Sequence, residues 1–239
     1  EVMRCYPQLA GLQEEALTSL GVRAANDEEF VRKFVAEHGG PTLVASMRNH
    51  AGHPGVQGHA CGAMYNLALA PPARSQLTTA GATHEVLSAM RNFSSVIAVQ
   101  HRCLAALSNL TLDFAAAEAL EKENGVAAIL AAMKAHPEHA GLQEAACFVI
   151  CSLTSHRDAR LSSQVAEQGG ISQIVGCLRA HQPETARLHI GVQAKACLAL
   201  FNLAESEESC RAIVEAGGVE AVLIALRQYG GELTVQEAG

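Results

Sequence analysis

The glutamines at positions 13, 57, 100, 143, 193 and 236, each preceded by Leu or Val, stand 44, 43, 43, 50 and 43 residues apart in this 239-residue chain. No other feature constrains the fold as much. A supersecondary unit that returns at this interval cannot bury its apolar face alone and has to stack on its copies, so the period predicts a helical repeat array. Counting from the glutamine, small residues fall at +3 (Ala16, Ala60, Cys103, Ala146, Ala196) and larger apolar ones at +7 (Leu20, Met64, Leu107, Ile150, Leu200). Leucine at +10 (Leu67, Leu110, Leu153, Leu203) continues the stripe, and the offsets are those of a helix. Beside it, +9 reads Asn66, Asn109, Ser152 and Asn202. Repeat one departs, with Val22 at +9 and Arg23 at +10, which predicts that its long helix ends earlier or packs differently.

Ahead of each long helix, an apolar residue followed by a cation recurs as Met3-Arg4, Met47-Arg48, Met90-Arg91, Met133-Lys134, Leu178-Arg179 and Leu226-Arg227. A cation in a helix's last turn favours the negative end of the macrodipole. Further upstream lie glycine turns, His38-Gly39-Gly40, Ala80-Gly81, Asn124-Gly125, Gln168-Gly169-Gly170 and Ala216-Gly217-Gly218, where glycine permits a left-handed helix ending. Segments such as 29–37 and 208–215 before those turns are apolar at helical spacing, so each repeat reads as helix, glycine turn, helix, loop, long helix. Repeat four is longer by two residues before Leu178 and five more before Gln193, the latter around 182–188, which reads as a loop extension at the edge of the array. The chain begins within a repeat and stops as another long helix would start. It is therefore expected to be a single repeat domain over 1–239, about five repeats with a partial one at each end, cut from a longer protein.

Alanine dominates the 49% of apolar residues while aromatics are only 4% and Trp is absent, a composition suited to closely approaching helices. Cys61, Cys147 and Cys197 share position +4 with Cys103 next to it, so the eight cysteines read as small buried hydrophobes of a reducing, cytosolic or nuclear compartment. No apolar run is long enough to span a membrane and no signal segment opens the chain. The net charge of −7 concentrates at the C-terminal end, where residues 191–239 hold seven acids against three bases; nucleic acid is not an expected partner.

No phosphate loop, nucleophile elbow or His-Glu-x-x-His motif occurs. His50-x-x-His53 and His136-x-x-His139 fall in loops with no third ligand near in sequence and read as solvated histidines. The carboxylate pairs Glu14-Glu15 and Glu28-Glu29 read as helix-start acids answering the macrodipole. These readings predict no enzyme, cofactor, metal or small-molecule substrate.

The roughly 42-residue three-helix unit, the glycine turn and the Val-Gln-x-x-Ala-x-x-Ala-Leu-x-Asn-Leu-Ala pattern, closest over residues 192–204, together resemble the armadillo repeat family. The resemblance implies an all-α, right-handed superhelical solenoid whose long third helices line a concave groove for an extended peptide. It also implies that the motif asparagines, here Asn66, Asn109 and Asn202 with Ser152 interrupting them, bond the backbone of the bound segment. The residues themselves leave a second role open, tying each helix to the neighbouring repeat.

Importin-type grooves place Trp at +5 around a bound lysine, whereas this chain has Thr18, Gly62, Ala105, Phe148 and Leu198 there, which argues against capture of a basic nuclear-import signal. At +2 stand Glu15, His59, Arg102, Ala145 and Lys195. The candidate groove is thus Asn66, Asn109, Ser152, Asn202, His59, Arg102, Phe148, Lys195 and Leu198. The expected function is a protein-interaction scaffold binding a peptide or partner segment. The alternative is a structural or regulatory module packed against other domains of its parent chain. A free groove would leave +5 and +9 open to solvent.

Overall fold

The computed structural model describes residues 2–156, 158–181, 189–229 and 233–238. Among them there is no strand, only helices joined by short turns. The fold is an all-α helical-repeat solenoid. The extension around 182–188 lies outside the described residues.

The chain divides into two compact units, Glu1–Ala128 and Ile129–Gly239. In the first, α1 (Val2–Cys5) leads into the long helix α2 (Ala10–Asn26); α3 (Glu28–Ala36), α4 (Gly39–Asn49) and the long α5 (Pro54–Leu67) complete one repeat. The next repeat is α6 (Pro71–Ala80), α7 (Ala82–Asn92) and the long α8 (Ile97–Leu110), followed by α9 (Phe114–Lys122). The boundary falls inside α10 (Gly125–Ala135). The second unit continues with the long α11 (Ala140–Ser155), then α12 (Ala159–Glu167), α13 (Gly170–Ala180) and the long α14 (Ile190–Leu203). It closes with α15 (Glu207–Glu215), α16 (Gly218–Gln228) and α17 (Leu233–Ala238). Within the first unit α2 packs on α5 and α5 on α8; within the second α11 packs on α14 and α14 on α17. The +3, +7 and +10 rows supply that contact, with Ala60, Met64, Leu67, Cys103, Leu107 and Leu110 wholly buried. Repeat one's long helix does not end early. At 17 residues α2 is longer than α5 or α8, because Arg23 extends over Phe30 (4.2 Å to the ring centre) and reaches Asp27 at 3.5 Å, holding the last turn.

The glycine turns split into two jobs. The left-handed residue is Gly81, Gly169 or Gly217 in three turns, but His38 and Asn124 in the others. The glycine after it is needed for space: a Cβ on Gly125 would meet the Leu120 carbonyl at 2.9 Å, and one on Gly170 the Val165 carbonyl at 2.7 Å. In the 81–82 turn the second position is a buried Ala82.

The expectation that all eight cysteines are buried is corrected for two of them: Cys61, Cys103, Cys147, Cys151, Cys177 and Cys197 are buried, but Cys5 and Cys210 are exposed. Cys103 is pushed well above the ordinary thiol value, first by its hydrogen bond with Cys61 (Sγ to Sγ 3.5 Å) and then by burial. Cys147 is raised likewise, by Cys177 and burial, and burial alone takes Cys197 to about 11. The folded protein therefore holds these protons more tightly than the unfolded chain. The stability so gained is complete below the ordinary thiol value of 9.0 and is lost as pH rises towards about 11. We expect melting temperature to fall through that window, and a thiol reagent at neutral pH to modify only Cys5 and Cys210 quickly. Rapid labelling of a third cysteine would show the stripe to be looser than described.

Candidate interaction face on the long helices

The anchoring glutamines have a structural purpose. Gln57 Nε2 donates to Met47 O and His50 O (2.8 and 2.9 Å), Gln100 to Met90 O and Phe93 O (2.8 and 3.0 Å), and Gln143 to Met133 O and His136 O (2.8 and 3.0 Å). Gln13 and Gln236 do the same to the carbonyls ten and seven residues earlier. Gln193 keeps both bonds across the lengthened loop, to Leu178 O and His181 O. A helix leaves its last carbonyls without intrahelical donors, and one buried primary amide supplies two N–H groups to them. The amide fixes the long helix to the end of the second helix.

The cation row acts one repeat further on. Arg4 donates to Glu37 O, Arg48 to Ala80 O, Arg91 to Glu123 O and Arg179 to Ala216 O, each acceptor lying at the end of the following repeat's first helix. The cations do stand in the last turns of their own helices, as expected, and the guanidiniums in addition reach the next repeat's C-terminal carbonyls. The reading of Glu14-Glu15 is corrected. The pair lies inside α2, not at its start, and the Glu14 carboxylate occupies the place a Cβ on Gly55 would need, beside His53 at 3.3 Å. Glu28 and Glu29 do open α3. Nor are the loop histidines merely solvated. His139 Nδ1 accepts from Leu142 N (3.0 Å) at the start of α11, and His50 Nε2 contacts Pro7 O (2.8 Å). Among the described residues no three His, Cys, Asp or Glu side chains are grouped to hold a metal.

The asparagines form a ladder. Asn66 Nδ2 donates to Gly21 O (2.9 Å), Asn109 to Tyr65 O (2.8 Å) and Asn202 to Cys151 O (3.2 Å). Every acceptor is the +8 carbonyl of the preceding long helix, so the inter-repeat tie left open by the sequence is present. The +9 row is less open than a free groove requires. Asn109 is 3% exposed and Ser152 2%, its hydroxyl without a partner, whereas Asn66 and Asn202 are half-buried. Asn66 also lines an open cavity of about 710 Å³ with Val31, Val35, Leu69 and Pro72.

At 100° per residue, roughly, +2, +5, +9 and +12 lie opposite the +3/+7/+10 stripe. In the first unit this face presents exposed Thr18 and Arg102 and half-buried His59, Gly62 and Ala105. In the second it presents Phe148, Leu198 and Lys195, whose Nζ sits 4.4 Å from the Phe148 ring centre. The aromatic at +5 therefore already carries a cation of the chain itself.

Two rows escaped the sequence reading. Leu69 and Leu112 at +12 and Tyr65 and Phe201 at +8 are exposed, Leu69 by 60% and Phe201 by 70%. Their signal was available: large apolar residues recurring off the core stripe.

No helix among the described residues is long and apolar enough to cross a membrane. Residues 45–238 match the family described as "Protein zer-1 homolog-like, C-terminal domain". No curated protein matches the sequence. Two crystal structures of engineered proteins, both targets of the Northeast Structural Genomics Consortium, superpose with TM-scores of 0.79 over 95% of this chain, at 20% and 24% identity. The chain spans 89% of the first and 52% of the second. At those identities the likeness concerns the fold alone.

Proposed function

The chain belongs to the family of the protein zer-1 homolog-like C-terminal domain, and from that membership we propose that its armadillo-type repeats form a non-enzymatic protein-interaction module. An extended segment of a partner protein lies across the open face of the long helices. The observation that carries this reading is the recurrence of exposed large apolar side chains on helices whose opposite face is fully packed, Tyr65 and Leu69 in one unit and Phe201 in the other. Apolar area left out of a core and repeated in register is an interaction feature rather than a packing one. The asparagine ladder assists by fixing spacing between the helices. In its unit, half-buried Asn66 keeps a carbonyl oxygen and one N–H for a ligand backbone; Asn202, whose Nδ2 also reaches Cys151 Sγ at 3.6 Å, keeps its carbonyl oxygen.

Retrieval of partners with this chain, followed by peptide mapping and titration, tests the proposal. Tyr65→Ser combined with Leu69→Ser should weaken the mapped peptide by about 10- to 1,000-fold, with little change in melting because both side chains are exposed. Unchanged affinity would place the partner away from Tyr65 and Leu69 and overturn the proposed face.

A further inference from the structure

In the Glu1–Ala128 unit most cations have acceptors: Arg4, Arg48, Arg74 and Arg91 bond carbonyls, and Arg23 and Lys33 reach Asp27 and Glu37. Arg102 has no carbonyl or carboxylate acceptor among the described residues. Its side chain is exposed on α8 with no carboxylate within 4.0 Å among those residues. Its hydrogen-bond partner is His59 Nδ1 at 3.3 Å. That nitrogen also faces Thr18 Oγ1 at 3.1 Å, while the Thr18 hydroxyl lies 2.8 Å from Glu14 O and donates its only proton there. Arg102 thus shares one neutral ring nitrogen with Thr18 and faces no anion among the described residues.

The side chain lies across Gly58 of α5, where a Cβ would come 3.4 Å from Nη1 and 3.6 Å from Cδ. In a chain of net charge −7, the two helices α5 and α8 contain no Asp or Glu. The exposed Leu69 and Leu112 lie in the turns that follow α5 and α8, each two residues past the helix end.

We propose that Arg102, with His59 beside it, is the seat for an Asp or Glu carboxylate of an acidic, extended partner segment that runs on along α8 towards Leu69 and Leu112 past the helix ends. The planar fork matches a carboxylate bidentately. One guanidinium balances one carboxylate charge, whereas a phosphate near −2 calls for more than one cation. This assignment rests on the open face being the binding face.

The test uses the whole chain, with the arginine Nε–H signals followed by NMR during titration with an acetylated, amidated Gly-Ser-Leu-Glu-Leu-Ser-Gly peptide. Versions with Lys or phosphoserine in place of Glu run alongside. The Glu peptide should shift Arg102 saturably and the Lys peptide should not. Arg102→Gln should weaken binding about 10- to 100-fold, and Arg102→Lys, which keeps the charge without the fork, by less. Equal binding of Glu and Lys peptides, insensitive to Arg102→Gln but shifting Tyr65 and Asn66, would overturn the carboxylate seat while leaving the open face as a binding face. Preference for phosphoserine would overturn it in favour of a phosphate site. No saturable shift on α5 or α8 would overturn it outright, with the open-face reading still answerable by the mapped partner.

Discussion

Gln100→Ala should destabilise the chain by about 2–4 kcal/mol, because it strips the donors from Met90 O and Phe93 O in a region where water cannot replace them. Gln100 is 2% exposed, and its Nε2 supplies both bonds. Gln100→Glu is the sharper variant. It conserves volume but places a carboxylate oxygen against two carbonyl oxygens, so a buried charge or a forced protonation is added to the lost bonds. We expect its urea midpoint to lie below that of Gln100→Ala. If Gln100→Glu unfolds with the unmodified chain, the glutamine row does not hold the repeats together as described. Asn109→Ala tests the other amide row: buried and bonded to Tyr65 O, it should cost about 1–3 kcal/mol. A fall in binding at that position would therefore come with a fall in stability. For that reason Tyr65 and Leu69 are the sites at which affinity is read.

Gly170→Ala should cost about 2–4 kcal/mol, since the new methyl meets the Val165 carbonyl at 2.7 Å and that oxygen belongs to helix backbone that cannot rotate away. His38→Gly should move the other way, by about 0.5–1 kcal/mol, because His38 is an exposed residue at φ 53° and glycine adopts that region without a Cβ penalty. The contrast separates the two demands made by one turn. A gain in His38→Gly with no loss in Gly170→Ala would mean that the left-handed conformation alone sets the need for glycine. Thermal or urea unfolding of the two single variants against the parent chain decides it.

The open face was legible in part. The offsets placed His59, Arg102, Phe148, Lys195 and Leu198 on the outward arcs of their helices, and there Arg102 is exposed and the other four half-buried. They also placed the asparagines there, yet Asn109 and Ser152 are covered, because a residue's depth depends on how closely the next helix approaches it. Tyr65, Leu69, Leu112 and Phe201 went unread, since an apolar residue in sequence looks the same whether it is packed or exposed.

What the sequence alone determined is the unit and its register. The 43-residue return of the glutamines, the +3/+7/+10 stripe and the turns fix the helices and their inward faces, because helix formation and amphipathic patterning are local and repeat with the chain. Tertiary structure decided whom each polar residue serves. Arg48, Glu14 and Asn66 act on carbonyls or helix ends about thirty to forty-five positions away. Local pattern assigns such a residue to its own helix. Stacking brings another helix's unsatisfied termini closer, and buried backbone groups take whatever donor lies within reach.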